Sequence, residues 1–154
     1  MSDLAIRFGR PEERSVLEEL QRRASLMWEE YRPYLLANPD VIELPLAQLR
    51  ENRVRVVEMA GRVAGFSAVL PKDGLCELDG LFVEPDLWGR GVGRALIADA
   101  LTQARRDGTG NMEVIANPRA EGFYKKLGFA VTGRTETQFG PANRMKISAF
   151  SAQT

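Results

Sequence analysis

Leu81-Phe82-Val83-Glu84-Pro85-Asp86-Leu87-Trp88-Gly89-Arg90-Gly91-Val92-Gly93-Arg94-Ala95-Leu96 is the stretch on which the fold turns. Its first residues close an apolar run, Leu75–Val83, that reads as a strand. Glycines at 89, 91 and 93 follow, and then Val92, Leu96, Ala100, Leu101 and Ala104 recur at helical spacing until Asp107-Gly108. A strand, a glycine turn and a helix start in that order make an anion site. Glycine lets the main chain approach a ligand closely, the first helical N–H groups lack partners within the helix, and the helix dipole favours negative charge there. Arg90 and Arg94 add positive charge. The competing reading is an ordinary glycine-rich turn. Two commoner phosphate motifs fail. A Walker loop needs Gly-Lys-Ser/Thr, whereas Gly93 precedes Arg94-Ala95. A dinucleotide turn needs a third small residue at fixed spacing, and that position is Arg94 or Leu96. A diphosphate held in some other way is the expectation.

Upstream, Leu4–Phe8 reads as a short strand, and Pro11-Glu12-Glu13 reads as a helix start with acids facing the dipole. Val16, Leu20, Ala24 and Met27 form the expected buried stripe, widened by Leu17. Pro33, Pro39 and Pro45 break Tyr31–Arg50 into short helical pieces and loops. Arg53–Met59 and Val63–Leu70 read as a hairpin around Ala60-Gly61-Arg62, and Pro71-Lys72-Asp73-Gly74 as the next turn. Downstream, Met112–Ala116 reads as a strand. Asn117-Pro118 starts a helix that Gly128 stops, and Ala130–Phe139 and Arg144–Phe150 read as two strands joined around Gly140-Pro141. The order predicts an α+β fold, a mostly antiparallel meander feeding one β-α-β crossover. The 154 residues are expected to make a single domain, 1–154.

Composition narrows the chemistry. Lys and Arg number 21 and Asp and Glu 21, so the formal net charge is zero. That balance argues against a nucleic-acid partner and against a polybasic membrane anchor. No apolar run is long enough to span a membrane, and the charged N-terminal stretch does not read as a secretory leader, so the expected setting is cytoplasmic. The chain has no histidine and one cysteine, Cys76. Histidine general bases and histidine-ligated metals are excluded, no internal disulfide can form, and no metal is expected.

Two motifs give the chain a resemblance. Leu81-Phe82-Val83, Pro85 and Trp88-Gly89-Arg90-Gly91-Val92-Gly93 resemble the acetyl-CoA signature of the GCN5-related N-acetyltransferases (GNAT family), Arg/Gln-x-x-Gly-x-Gly/Ala. Asn117-x-x-Ala120-x-x-Phe123-Tyr124 followed by Lys125-Lys126-Leu127-Gly128-Phe129 is similar to that family's second signature, in the same order and at the usual separation. Trp88 departs from the pattern, standing where Arg or Gln is usual. The likeness covers about Arg53–Ser148, and the first fifty residues only loosely.

The resemblance implies a three-layer fold, with a mixed, mostly antiparallel sheet of about seven strands flanked by helices. In it the fourth and fifth strands, Leu75–Val83 and Met112–Ala116, splay into a cleft for the pantetheine arm of acetyl-CoA. It implies that main-chain groups of Leu81, Phe82 and Val83 bond the pantetheine. Gly89, Arg90, Gly91, Val92, Gly93 and Arg94 would then hold the pyrophosphate, and Asn117 the cofactor near its pantetheine or phosphate end. A plain helix N-cap is the other reading of Asn117. It also implies Tyr124 as general acid toward the departing thiolate, a role that suits a phenol of ordinary pKa about 10. A packing tyrosine is the alternative. The base candidates are Glu77, Asp79 and Glu113, ranked in that order. Glu77 and Asp79 share a strand face opposite Cys76, and the alternatives are solvated carboxylates or a water relay. Glu77, six residues before Val83, sits where the histone-acetylating branch of the family carries its glutamate. Cys76 reads as a small buried hydrophobe rather than a nucleophile.

The expected reaction is direct transfer of acetyl onto a primary amine, with a small-molecule amine as acceptor, because no long binding loop or tail is evident. Alternatives are an acetyltransferase of protein N-termini or lysines, or a catalytically weak acyl-CoA-binding regulatory module. In the family the acceptor side is built by segments corresponding to about 25–50 and 135–143, the first carrying Trp28, Tyr31 and Tyr34 with Glu29 and Glu30. Many relatives pair, so the resemblance allows a homodimer.

Overall fold

The computed structural model describes residues 3–150. Its strands are β1 (Leu4–Phe8), β2 (Val54–Met59), β3 (Arg62–Lys72), β4 (Leu75–Val83), β5 (Asn111–Ala116), β6 (Ala130–Thr137) and β7 (Gly140–Ser148). Its helices are α1 (Arg14–Leu26), α2 (Arg32–Ala37), α3 (Leu46–Arg50), α4 (Val92–Arg106) and α5 (Glu121–Lys126). Single 3-10 turns occupy Pro11–Glu13, Pro85–Leu87 and Pro118–Ala120, each starting on a proline whose missing N–H costs nothing there. The sheet has seven strands in the order β1-β2-β3-β4-β5-β7-β6. β4 and β5 run parallel, and the β1–β2, β2–β3, β5–β7 and β6–β7 pairs run antiparallel. The mixed α+β sheet expected from the residues is the one observed.

The chain folds as two compact units, Met1–Ala68 with Gly80–Leu96, and Val69–Asp79 with Ile97–Thr154. In the first, Leu17 and Leu20 of α1 and Leu49 of α3 pack with Val54, Val56, Phe66 and Ala68 from β2 and β3. A second cluster joins Val57 and Ala64 to Leu87 and to Val92 and Leu96 of α4. Val56 and Val57 point to opposite faces and both are fully buried, so the sheet here is covered on both sides. Truncating a leucine such as Leu17 or Leu20 to alanine is expected to cost about 2–5 kcal/mol.

A bulge in β3 shifts the register, with Val57 opposite Gly65 and Glu58 opposite Val63. Gly65 is the residue that this arrangement requires, because a Cβ there would lie 2.7 Å from the Phe82 carbonyl oxygen. In the second unit, four of the six β5 residues are buried, and Met112, Val114, Met145 and Ile147 are buried core residues of β5 and β7.

Three expectations shift. The α1 stripe is Leu17, Leu20 and Ala24; Val16 and Met27 are half exposed, because the buried arc is centred one residue later. Pro71 lies inside β3 rather than in a turn, and the reversal is made by Asp73 and Gly74 alone, both at positive φ (45° and 81°) as a primed two-residue turn demands. The last hairpin turns at Gln138-Phe139, where the Thr137 hydroxyl accepts from Phe139 N–H and donates to the Gly140 carbonyl, so β7 begins at Gly140 rather than Arg144.

Candidate active site

Each unit builds its own share of the chemistry. In the first, the connection from β4 to α4 is anchored residue by residue. Glu84 N–H donates to the Ala64 carbonyl at 2.9 Å. The Glu84 carboxylate, buried, takes two hydrogen bonds from the Arg23 guanidinium of α1, at 3.0 and 2.7 Å. Asp86 takes two from Arg62, both 3.0 Å, which hold its carboxyl below the usual range. Leu87 is buried in the core. Trp88 donates its indole N–H to the Val83 carbonyl at 2.8 Å and stacks on Trp28, ring centroids 5.5 Å apart and planes 27° apart.

Beyond Trp88, Gly89 and Gly91 offer only main chain. Gly89 and Gly91 adopt φ of 82° and 84°, and a Cβ at either would meet nothing within 4 Å. These glycines therefore serve conformation and open access rather than packing. The Gly91 carbonyl accepts from Ala95 N–H at 3.0 Å, so Gly91 is the residue on which α4 begins. The N–H groups of the following residues are those that a helix start leaves without intrahelical partners. Arg90 and Arg94 are exposed beside them. Lacking the Lys and Ser/Thr of a Walker loop, the turn can grip an anion only through main-chain donors and these two guanidinium groups.

The strand before the turn is polarised by the same alternation. Glu84 N–H points to β3, and the Phe82 carbonyl lies against Gly65 of β3. The N–H and C=O groups of Leu81 and Val83 therefore point the other way. Of these, the Val83 carbonyl already accepts from Trp88. The Phe82 ring packs on Phe66, 5.4 Å between centroids, and Gly80 leaves room for it.

The second unit carries the side-chain chemistry. β4 and β5 register at Cys76↔Met112 and Glu77↔Glu113, which sets the two carboxylates side by side. Lys72, at the end of β3, bridges them, with Nζ 3.4 Å from Glu77 Oε2 and 3.1 Å from Glu113 Oε1. Arg144 of β7 adds a contact of 3.5 Å to the same Glu113 oxygen. Burial pushes the Glu113 carboxyl up, but the Lys72 hydrogen bond and the charges of Lys72, Arg144 and Lys146 outweigh it and hold it below the usual carboxylate range. Asp79 is exposed, and Cys76 and Leu78 are buried on the opposite face. Burial raises the Cys76 thiol to about 11, which keeps it protonated and inert.

Tyr124, on α5, is buried in edge-to-face contact with Phe123 and Phe129 (centroids 5.2 and 5.3 Å). Burial raises its phenol to about 12. Asn117 caps the 3-10 turn before α5, its Oδ1 accepting from Arg119 N–H at 2.9 Å. Among the described residues no three His, Cys, Asp or Glu side chains gather as a metal would require.

The sequence reading did not single out Lys72, Arg144, Arg23 or Glu84. Lys72 had a signal, since a two-residue turn puts it within reach of residues just past the turn. Arg144 and Arg23 had none, because their partners lie 31 and 61 positions away.

Comparison with known proteins brings the two shares under one heading. A model of the Acetyltransferase (GNAT) family matches residues 14–129. The peptidyl-lysine N-acetyltransferase YjaB of Escherichia coli is 51% identical over 59 residues, 38% of this chain and 39% of that protein. The chain thus spans about two fifths of the length of the curated relatives it matches. A GCN5-related N-acetyltransferase of Rhodopseudomonas palustris superposes with a TM-score of 0.80 at 24% identity, over 96% of this chain and 97% of that one. The PaiA N-acetyltransferase of Thermoplasma acidophilum, crystallised with coenzyme A, superposes with a TM-score of 0.77 at 20% identity, over 96% and 99%. At these identities the structural likeness is one of fold.

Proposed function

The chain belongs to the Acetyltransferase (GNAT) family, and on that footing we propose that it is an acetyl-CoA-dependent N-acetyltransferase that moves the acetyl group directly onto a primary amine. The observation that carries this reading is the turn at Gly89–Arg94, with open space at Gly89 and Gly91 and with Val92 packed in the core where the turn leads into α4. Such a turn suits an anion such as a diphosphate. Its main-chain donors, with Arg90 and Arg94, hold the pyrophosphate. The Leu81 groups and the Val83 N–H hold the pantetheine, since the Phe82 carbonyl lies against Gly65 and the Val83 carbonyl accepts from Trp88. Asn117 is the further contact to the cofactor that the family resemblance implies.

Acetyl-CoA supplies an activated thioester, and the chain's residues supply orientation and protons. Holding amine and thioester together removes much of the entropic barrier. As the amine nitrogen bonds the carbonyl carbon and the carbon–sulfur bond breaks, Tyr124 gives its proton to the sulfur. A phenol with a pKa near 12 stays loaded with that proton throughout the neutral range. The ammonium proton of the incoming amine passes to a carboxylate or to water. Glu77 is the first candidate and Asp79 the second. Glu113 is the weakest of the three, because a carboxylate locked to Lys72 and Arg144 and held at low pKa binds a proton poorly. Its part is to hold Lys72.

The acceptor carried forward is a small-molecule amine. The likeness to the peptidyl-lysine enzyme YjaB supports a second reading, a lysine side chain on a protein. The deciding experiment follows free-thiol release from acetyl-CoA against small amines, amino acids and lysine peptides. Release with small amines alone supports the first reading, release with peptides alone supports the second, and no CoA binding by calorimetry at millimolar ligand sinks both. A pH–rate series on Glu77→Gln, Asp79→Asn and Glu113→Gln identifies the base as the variant that loses the acidic limb of kcat/KM.

A further inference from the structure

Between Trp88 and Val92 the glycine turn packs no side chain into the core, so its shape in the free protein depends on its two ends. The far end is fixed by Val92 and Leu96, both buried in the core. The near end is fixed by Trp88, which is 42% exposed and so is not held by burial. It is held by two contacts, its N–H on the Val83 carbonyl and its ring on Trp28. Trp28 lies just past α1, sixty residues away in sequence and outside both motifs. Arg23, one turn earlier on that helix, grips Glu84 on the same connection.

We propose that Trp28 is a positioning residue for acetyl-CoA: by stacking on Trp88 it sets the entrance of the glycine turn and the edge of β4 before the cofactor arrives. The proposal rests on the cofactor reading above. Its physical basis is pre-organisation. A turn already held in its binding shape loses less freedom on binding, and each mobile group that must be ordered instead weakens affinity by about 2- to 10-fold. Trp88 stands where the family signature usually has Arg or Gln, and its ring rests on Trp28.

The chain contains only two tryptophans, Trp28 and Trp88, so its tryptophan signals report on this pair and nothing else. The experiment titrates CoA into the wild type and into Trp28→Leu, Trp28→Phe, Trp88→Phe and the Trp28→Leu/Trp88→Phe double variant. It follows calorimetric affinity for all of them, near-ultraviolet circular dichroism for the wild type, and acetyl-CoA KM and kcat with the best acceptor. The expected results are a coupled indole signal that is already present in the free wild type and little altered by CoA, and a KM raised about 3- to 10-fold in Trp28→Leu with kcat within about twofold. Trp28→Phe, which keeps a ring to stack, is expected to restore most of that loss. The double variant is expected to be little worse than the worse single, because both substitutions release the same residue. Unchanged CoA affinity in a folded Trp28→Leu protein, or loss in both Trp28 variants alike, or fully multiplicative effects in the double variant, overturns the proposal. Absence of CoA binding in the wild type is a different result and overturns the cofactor reading instead.

Discussion

The glycine turn of the first unit and the carboxylate cluster of the second solve opposite problems. On the proposed reading, the turn handles charge with main chain. Gly89 and Gly91 sit in left-handed conformations with open space around them, and the donors are amides that no titration can alter. The cluster handles charge with side chains. Glu77, Glu113, Lys72 and Arg144 converge from four strands, and each contact depends on protonation. A rigid, pH-independent grip suits a ligand that always carries the same charge. A titratable cluster suits a reaction in which protons move. The contrast also separates the kinds of damage that each share can suffer.

The largest effect is expected from Gly91→Val. A β-branched residue is strained at φ 84°, and its side chain projects where the anion approaches. Losing even a couple of charge-assisted hydrogen bonds weakens CoA binding about 100-fold or more. Calorimetry checks this, with a melting curve to show that the fold survives. If Gly91→Val binds CoA normally, the main-chain half of the comparison is wrong.

Tyr124→Phe sharpens the other half. It is expected to lower kcat about tenfold or more, with CoA affinity unchanged, since only the proton donor is lost. Retained turnover would return Tyr124 to the core alongside Phe123 and Phe129. Ultraviolet titration supplies an independent reading, because one of the three tyrosines is expected to ionise near pH 12 instead of near the ordinary value of about 10. The sign for stability follows. A phenol whose pKa is raised by folding stabilises fully below about pH 10 and loses that contribution as pH rises through the folded value.

The smallest effect is expected from Glu113→Gln. The folded Glu113 carboxyl is held below its ordinary value, so its contribution to stability is complete above about pH 4.3 and is lost as pH falls through the lower folded value. The variant is expected to melt about 2–5 °C lower at neutral pH. Between neutral and acid its Tm is expected to fall less than that of the wild type, measured by calorimetry from pH 3 to 7. Equal slopes would mean that the Lys72–Glu113–Arg144 contacts do not hold the strands.

Legibility in sequence followed the same division. The strand–turn–helix at Leu81–Leu96 was readable because glycine at a positive φ, a proline after a strand and helical spacing are local signals. The α1 stripe was read one residue off. Val16 and Leu17 are both apolar, and only the tertiary surface that α1 meets chooses between them. Pro71-Lys72-Asp73-Gly74 is a turn signal in sequence, whereas the structure keeps Pro71 and Lys72 in β3 and leaves the reversal to Asp73-Gly74. Glu77 and Glu113 were both candidates from residue type, but nothing local says that they stand side by side. That follows from the parallel register of β4 with β5.

What the chain's residues determined alone is whatever depends on backbone conformation and short-range period: the helix and strand types, the turn glycines, the absence of histidine chemistry and the family signatures. What only tertiary structure decided is which distant charges and rings meet. Arg23 reached Glu84, Trp28 reached Trp88, and Lys72 and Arg144 reached Glu113. The physical reason is range. Torsional preference and side-chain period act over a few residues, whereas an ion pair or a ring stack needs atoms within a few ångströms, and only a finished packing arrangement brings residues so far apart in sequence that close.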